Sequence, residues 1–370
     1  MLLILLVGIG AGAAFSTTMR ADVRIVSVEN GGLLFTDNSA GVSGTDCGYS
    51  LPLGRETLWL FGDVFLLDAT SPAKRYVGGV SNCGLIIPTG SGAASLRKYR
   101  FLTEPGKRIA RQLIPLEAGE GNETRLWPFG GWYDASAGKA YLYYGVVKTT
   151  RTGDPFGFKM IGTGLAEAEP TRLHVEGFRR LRSGTASAVW WKSDEGPVFG
   201  ASAFSDPSDP EHIYVIGFSE RSGRKFGKLA RVPVSRLTDL AAYQYFSGSS
   251  NAPSWSRSIE QAADIEGLAD FPSELSIAHS KYAGGYLAVH SVGIGEKIRL
   301  SVAPKPWGPF RPVGEIGAPH RAFAKAFCYA GKEHHELREG GGRVIYVTYV
   351  DSERYWLQLL KVTFAKGIKE

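Results

Sequence analysis

Five times along the chain the same pattern returns: an extended segment, a turn carrying Gly or Asp, an aromatic or aliphatic strand, then one or two further strands. The units occupy 46–88, 124–167, 185–234, 272–310 and 322–364, and start roughly 50 to 90 residues apart. Repeated four-strand units of this size predict an all-β, five-bladed β-propeller. One such unit cannot bury both of its faces alone, so the units must close into a ring. A short strand at 23–28 (VRIVSV) is expected to complete the last blade and seal that ring. Helical periodicity is nearly absent, with short helical turns expected only at 235–245 and 258–263. A two-sheet sandwich is the other all-β option, but five hairpin-bearing units exceed what a sandwich of 370 residues needs. Residues 20–370 therefore read as one propeller domain, with Gly/Ser-rich loops at 89–95 and 247–256 between blades.

The first unit opens on 44–65, GTDCGYSLPLGRETLWLFGDVF. Pro52 and Gly54 break the chain between two strand-forming stretches, so the segment reads as a hairpin. A hairpin goes out and comes back, which brings Asp46 and Asp63 to the same end. Two carboxylates at one end of a small sheet suit acid/base cleavage of a glycosidic bond. Each aspartate taken alone also fits a turn cap or a strand end.

In a propeller the innermost strands line a central funnel, so residues at comparable places in each unit converge. Blade 2 offers Arg125, Trp127 and Trp132 rather than an acid, blade 4 offers Glu274, and blade 5 offers His334, His335 and Glu336. Carboxylates accept hydrogen bonds from sugar hydroxyls, and indole or phenol faces stack on the apolar side of a sugar ring. Glu274, His335, Glu336, Trp127 and Arg125 are thus candidate substrate-binding residues, and Asp46 and Asp63 the catalytic pair. Metal binding by His334 and His335 is disfavoured, because neighbours on a strand point to opposite faces. No phosphate-binding loop, serine-hydrolase elbow or CxxC pair occurs, so neither a cofactor nor a structural zinc is expected.

The formal charge of +6 is modest for the length. The basic runs 179–182 (RRLR) and 221–231 (RSGRKFGKLAR) lie in no nucleic-acid motif, so they read as solvated faces and no nucleic-acid partner is expected. Cys47 and Cys83 fall in one expected sheet and are compatible with a disulfide, leaving Cys328 over; three buried thiols are the equal alternative. Residues 2–15 (LLILLVGIGAGAAF) are apolar and uncharged, short for a membrane span, and lack a basic segment before them. Residues 1–19 are expected to act as a secretory signal peptide or an uncleaved anchor. The propeller would then be a secreted or cell-envelope monomer, with no stable membrane insertion once the signal is removed.

GTDCGYS followed by LWLFGDVF resembles the opening of the domain-of-unknown-function 4185 family, which pairs a G-x-D-x-G-x-S strand with a W-x-F-G-D strand. The segments LWPFGGWYDASAGKAYLYY, SELSIAHSKYAGGYLAVHS with APKPWGPF, and HHELREGGGRVIYVTYV are similar to later family motifs in the same order, over about 25–364. His335 stands where the family's H-P-E-L motif carries proline. The resemblance implies an exported five-bladed propeller. Part of the family is grouped as glycoside hydrolase family 183, inverting enzymes that cleave D-arabinan internally, with paired first-blade acids that match Asp46 and Asp63. Asp46 is read as the acid and Asp63 as the base, with the reverse left open. A polysaccharide such as D-arabinan is the expected partner, chosen by loops such as 67–78 and 149–158. The competing expectation is a non-catalytic propeller that binds a cell-surface glycan or a protein.

Overall fold

The computed structural model describes residues 23–366 apart from 69, 71–72, 151–156, 185, 296 and 318–326. The expected leader at 1–19 and most of the 149–158 loop lie outside the described residues. Five antiparallel sheets follow one another along the chain and form a five-bladed propeller. Their innermost strands are Val42–Pro52, Thr124–Asp134, Val198–Asp206, Ser276–Ser280 and Cys328–Glu333. Among the described residues there is no α-helix, and no helix long and apolar enough to cross a membrane. The expected helical turns are single 3-10 turns at Val234–Arg236, Leu240–Ala242 and Ile259–Gln261.

Ring closure follows the expectation from the early strand. Ile25–Leu33 pairs antiparallel with Leu357–Phe364, so the fourth strand of blade 5 comes from the start of the described chain. One boundary differs. The AVWW segment at 188–191, expected to open blade 3, instead pairs Trp191 with Thr163 on the outer side of blade 2. Its two tryptophans pack against Tyr243, away from the funnel.

Second strands lie between neighbouring blades and are apolar on both faces. Leu58, Trp59, Leu60 and Phe61 are all fully buried, as are Ile345, Val347, Tyr349 and Val350. That double-sided burial explains why these strands read as continuous apolar runs rather than alternating ones. His334 is part of this packing: it stacks on Trp59 with ring centroids 4.1 Å apart and bridges Ser50 and Thr348 through its two ring nitrogens.

The basic runs are ion-paired rather than simply solvated. Arg180 is buried against Glu120 and the Tyr144 hydroxyl, Arg179 meets Glu167, and Arg182 meets Glu117. In the second run Arg221 and Lys228 share Asp264, and Arg224 forks onto Asp270.

All three cysteines are buried, and Cys47 and Cys83 form no disulfide with each other. Burial pushes the Cys47 and Cys83 thiols well above their ordinary range, which suppresses the reactive thiolate. A thiol-titrating reagent is expected to find almost none of the three under native conditions and all three after denaturation. Fast native labelling of one thiol would contradict this packing.

Candidate active site

All five innermost strands run the same way, so their N-terminal ends meet on one face of the ring. That face holds a funnel of about 1130 Å³ lined by Asp46, Trp127, Val198, Glu274 and Tyr329, one residue from each blade. Asp63 and Tyr355 complete its floor.

The local chain explains how the two aspartates are aimed. Glu56–Leu67 returns antiparallel to Val42–Pro52, with Asp46 opposite Gly62. The ladder is irregular on both sides of this point. Between Gly44 and Asp46 the returning strand carries an extra residue, in the stretch that contains Asp63. Between Cys47 and Tyr49 the inner strand carries the extra residue, Gly48. Such bulges bend a strand and redirect its side chains. Cys47 and Asp63 both adopt positive φ, 66° and 34°, a conformation that non-glycine residues hold only when the surroundings impose it. Gly48 must be glycine twice over: its φ is 77°, and a Cβ there would lie 2.2 Å from Leu357 Cδ2.

Asp46 lies deepest. Its Oδ1 accepts the Cys47 N–H at 2.5 Å, and the Tyr329 and Tyr355 hydroxyls also hydrogen-bond to its carboxyl. Burial first, then the charges of Glu274 and Asp63, push its pKa up to about 7. Burial also raises Asp63, to about 6, but the Trp127 indole and the Arg125 guanidinium hold it lower than Asp46. Arg125 Nε lies 3.8 Å from Asp63 Oδ1. Glu274 is buried, with Oε1 3.6 Å from the Cys47 thiol, which donates to it.

Beneath the acids is a cation that the motif reading missed. Lys332 is buried, and its Nζ donates to the carbonyls of Cys47 at 2.8 Å and Ala330 at 2.7 Å. It also sits 4.6 Å from the centre of the Tyr49 ring. Burial lowers its pKa, while Cys47, Glu274 and Asp46 oppose that change. Lys332 thus holds the same bulge residue whose N–H holds Asp46.

Asp46, Asp63, Glu274 and Trp127 line the funnel, and Arg125 stands beside Asp63. His335 and Glu336 do not line it. They follow the C-terminal end of Cys328–Glu333, whereas Tyr329, near its N-terminal end, lines the funnel. At about 3.3 Å per residue they lie roughly 20 Å away, toward the opposite face. Trp132 is likewise near the far end of its strand and packs on the core. Tyr329 is readable from the common strand direction once Asp46 is placed at the funnel end of its strand. Tyr355 is not, because it reaches the funnel from a turn between two blade-5 strands.

The wall is aromatic, lined by Phe158, Phe218, Phe271 and Phe327. Two rim cations, Arg224 and Lys225, are already paired with Asp270 and Glu220. Among the described residues no cluster of three His, Cys, Asp or Glu side chains has metal-binding geometry. The funnel can therefore hold a neutral, hydroxyl-rich ring between aromatic walls and a floor of three acids.

A family model described as "Domain of unknown function (DUF4185)" matches residues 33–360. No curated protein matches the chain. Similar solved structures include an α-L-arabinofuranosidase from Podospora anserina in complex with cellotriose, at 10% identity over 95% of this chain and 98% of that one, TM-score 0.42. The catalytic domain of an α-L-arabinofuranosidase from Coprinopsis cinerea aligns at 11% identity over 94% and 98%, TM-score 0.44. A protein of unknown function from Dyadobacter fermentans aligns at 8% identity over 94% and 100%, TM-score 0.47. Likeness at this level says nothing about the site.

Proposed function

We propose that this chain, which belongs to the DUF4185 family, is an inverting glycoside hydrolase that cleaves a furanoside polysaccharide such as D-arabinan, in the cell envelope or outside the cell. One observation carries the reading: two carboxyls at one funnel floor have environments that push their pKa values up and apart, Asp46 to about 7 and Asp63 to about 6. Environments that separate two acids in this way assign them different roles.

Between those values Asp46 keeps its proton and Asp63 is ionised. Asp46 then donates to the leaving glycosidic oxygen while Asp63 takes a proton from the attacking water. Attack from the face opposite the leaving group inverts the anomeric centre, a geometry that needs the carboxyls roughly 6.5–9.5 Å apart. Glu274 is suited to accept hydrogen bonds from substrate hydroxyls, and Trp127 to stack on a ring face. The paired rim cations favour a neutral polymer over an anionic one. The apolar, uncharged stretch at 2–15 supports export.

The test is reducing-end release from a panel of arabinans, fructans and galactans as a function of pH. Cleavage is expected to follow a narrow bell with limbs near 6 and 7, where the base is ionised and the acid still protonated. Arg125→Leu removes a cation that favours ionised Asp63. Its acidic limb should move to higher pH by up to about one unit, the partial exposure of Arg125 limiting the shift. Saturable glycan binding with no new reducing ends on any polymer would instead support a binding propeller.

A further inference from the structure

The strand that carries Asp63 continues outward, and its exposed face is aromatic. Beyond Asp63 the side chains alternate: Val64 and Leu66 are buried, and Phe65 is 44% exposed. Phe65 lies two residues beyond Asp63 along the same strand, past the bulge. Tyr76, on the adjoining strand, is 61% exposed and meets Phe65 edge-on at 6.4 Å. On its other side Phe65 stacks on Tyr355, at 4.8 Å between centroids and 25° between planes. Tyr355 lines the funnel and hydrogen-bonds to Asp46. A continuous row of rings, Tyr355, Phe65 and Tyr76, thus runs from the acid to the outside of blade 1.

The chain is shaped to hold that row. Tyr355 has φ of 54° and is fixed there by Thr45 N–H to its carbonyl at 2.7 Å and by its own N–H to the Asp351 carbonyl at 2.8 Å. Gly44, opposite Phe65, has no side chain to obstruct the stack. A Cβ there would lie 2.9 Å from Tyr355 Cδ1 and 3.3 Å from Phe65 Cδ2. Large aromatic side chains left in solvent beside a polar cleft mark a ligand surface.

We propose that Phe65 and Tyr76 form a remote sugar-binding subsite, on which a polysaccharide strand leaving the Asp46–Asp63 floor lays the C–H faces of its rings. The proposal rests on the hydrolase reading above. It commits to a polymer strand as occupant because the row is continuous with the floor through Tyr355. It implies a substrate longer than the funnel is deep.

The experiment compares kcat/KM of wild type and Phe65→Ala/Tyr76→Ala on a linear arabinan and on the shortest oligosaccharide that wild type still cleaves. Two stacked rings at the usual strength of aromatic contacts predict about a tenfold loss on the polymer and less than about twofold on the short substrate. Phe65→Trp should retain polymer activity. Tyr76→Ala alone, a change at a mostly exposed ring, should show the same selectivity at about threefold. Equal loss on both substrates, or no loss on either, overturns the subsite and leaves the hydrolase reading standing. Conversion of a wild-type dimer to monomer in sedimentation of the double variant, with polymer cleavage unchanged, overturns it as a protein interface. No cleavage of any panel polymer by wild type removes the hydrolase reading, and the subsite with it.

Discussion

Asp46→Asn is expected to cut turnover by about 10²- to 10⁴-fold while leaving the protein no less stable than wild type at pH 8. Asparagine keeps the shape but has no proton to give the leaving oxygen. The stability half follows from linkage. Asp46 has a folded pKa of about 7 against an ordinary 3.8. Between these values the folded protein keeps a proton that the unfolded chain has released. The carboxyl's contribution therefore becomes less favourable as pH rises from about 4 to about 7, and stays so above. The full penalty is up to about 4 kcal/mol. Asparagine does not ionise and escapes it, at the cost of weaker bonds to Tyr329, Tyr355 and the Cys47 N–H. The melting-temperature difference, variant minus wild type, should therefore increase between pH 4 and pH 8. Asp63→Asn should lose activity similarly, with a smaller pH-dependent gain. An Asp46→Asn protein that still cleaves polymer within tenfold of wild type would remove Asp46 from the chemistry.

Lys332→Met is the second large effect, acting on stability and rate together. The ammonium holds the Cys47 and Ala330 carbonyls inside the ring, and methionine leaves both without that donor. Orphaned buried acceptors cost about 1–3 kcal/mol each, partly offset by removing a desolvated charge. A net loss of about 2–4 kcal/mol is expected in denaturant titration. The rate should fall because the bulge that positions Asp46 loosens, and small misplacements of a reacting group cost on the order of 10²-fold. Removing the cation also favours the protonated acid, so the alkaline limb of the pH–rate profile should move up. A stability loss with an unmoved profile and an unchanged rate would show that Lys332 only fills space and satisfies carbonyls.

The repeat and the first-blade acids were legible because each rests on local chemistry. Alternation of apolar strands with Gly and Asp turns declares a blade, and the Pro52–Gly54 break declares a hairpin that brings Asp46 and Asp63 together. The rest of the site depends on which end of each inner strand faces the funnel. His335 and Glu336 were assigned to it from their place near a blade-5 inner strand, without regard to direction. Asp46, near the start of its strand, implies that Trp127, Glu274 and Tyr329 belong to the functional face, and that residues after Glu333 do not. Lys332 was hidden for another reason. A lysine in a strand reads as a solvent-facing residue, and only five blades closing around it make the position an interior one. Tyr355 lies in a turn whose sequence, DSERYW, has no period to read.

The pairing of Ile25–Leu33 with Leu357–Phe364 sets the order of events when the protein is made. Gln358 donates its side-chain amide to Asn30 across 328 positions of sequence. The entropy of closing so long a loop grows only logarithmically, so the finished ring loses little by it. The rate is another matter, since contacts this distant in sequence form late. Until residues near 364 emerge, blade 5 has an open edge and the first strand waits without a partner. Unpaired edges of this kind recruit other chains. The newly synthesised polypeptide is therefore expected to aggregate most readily just before residues 357–364 are added.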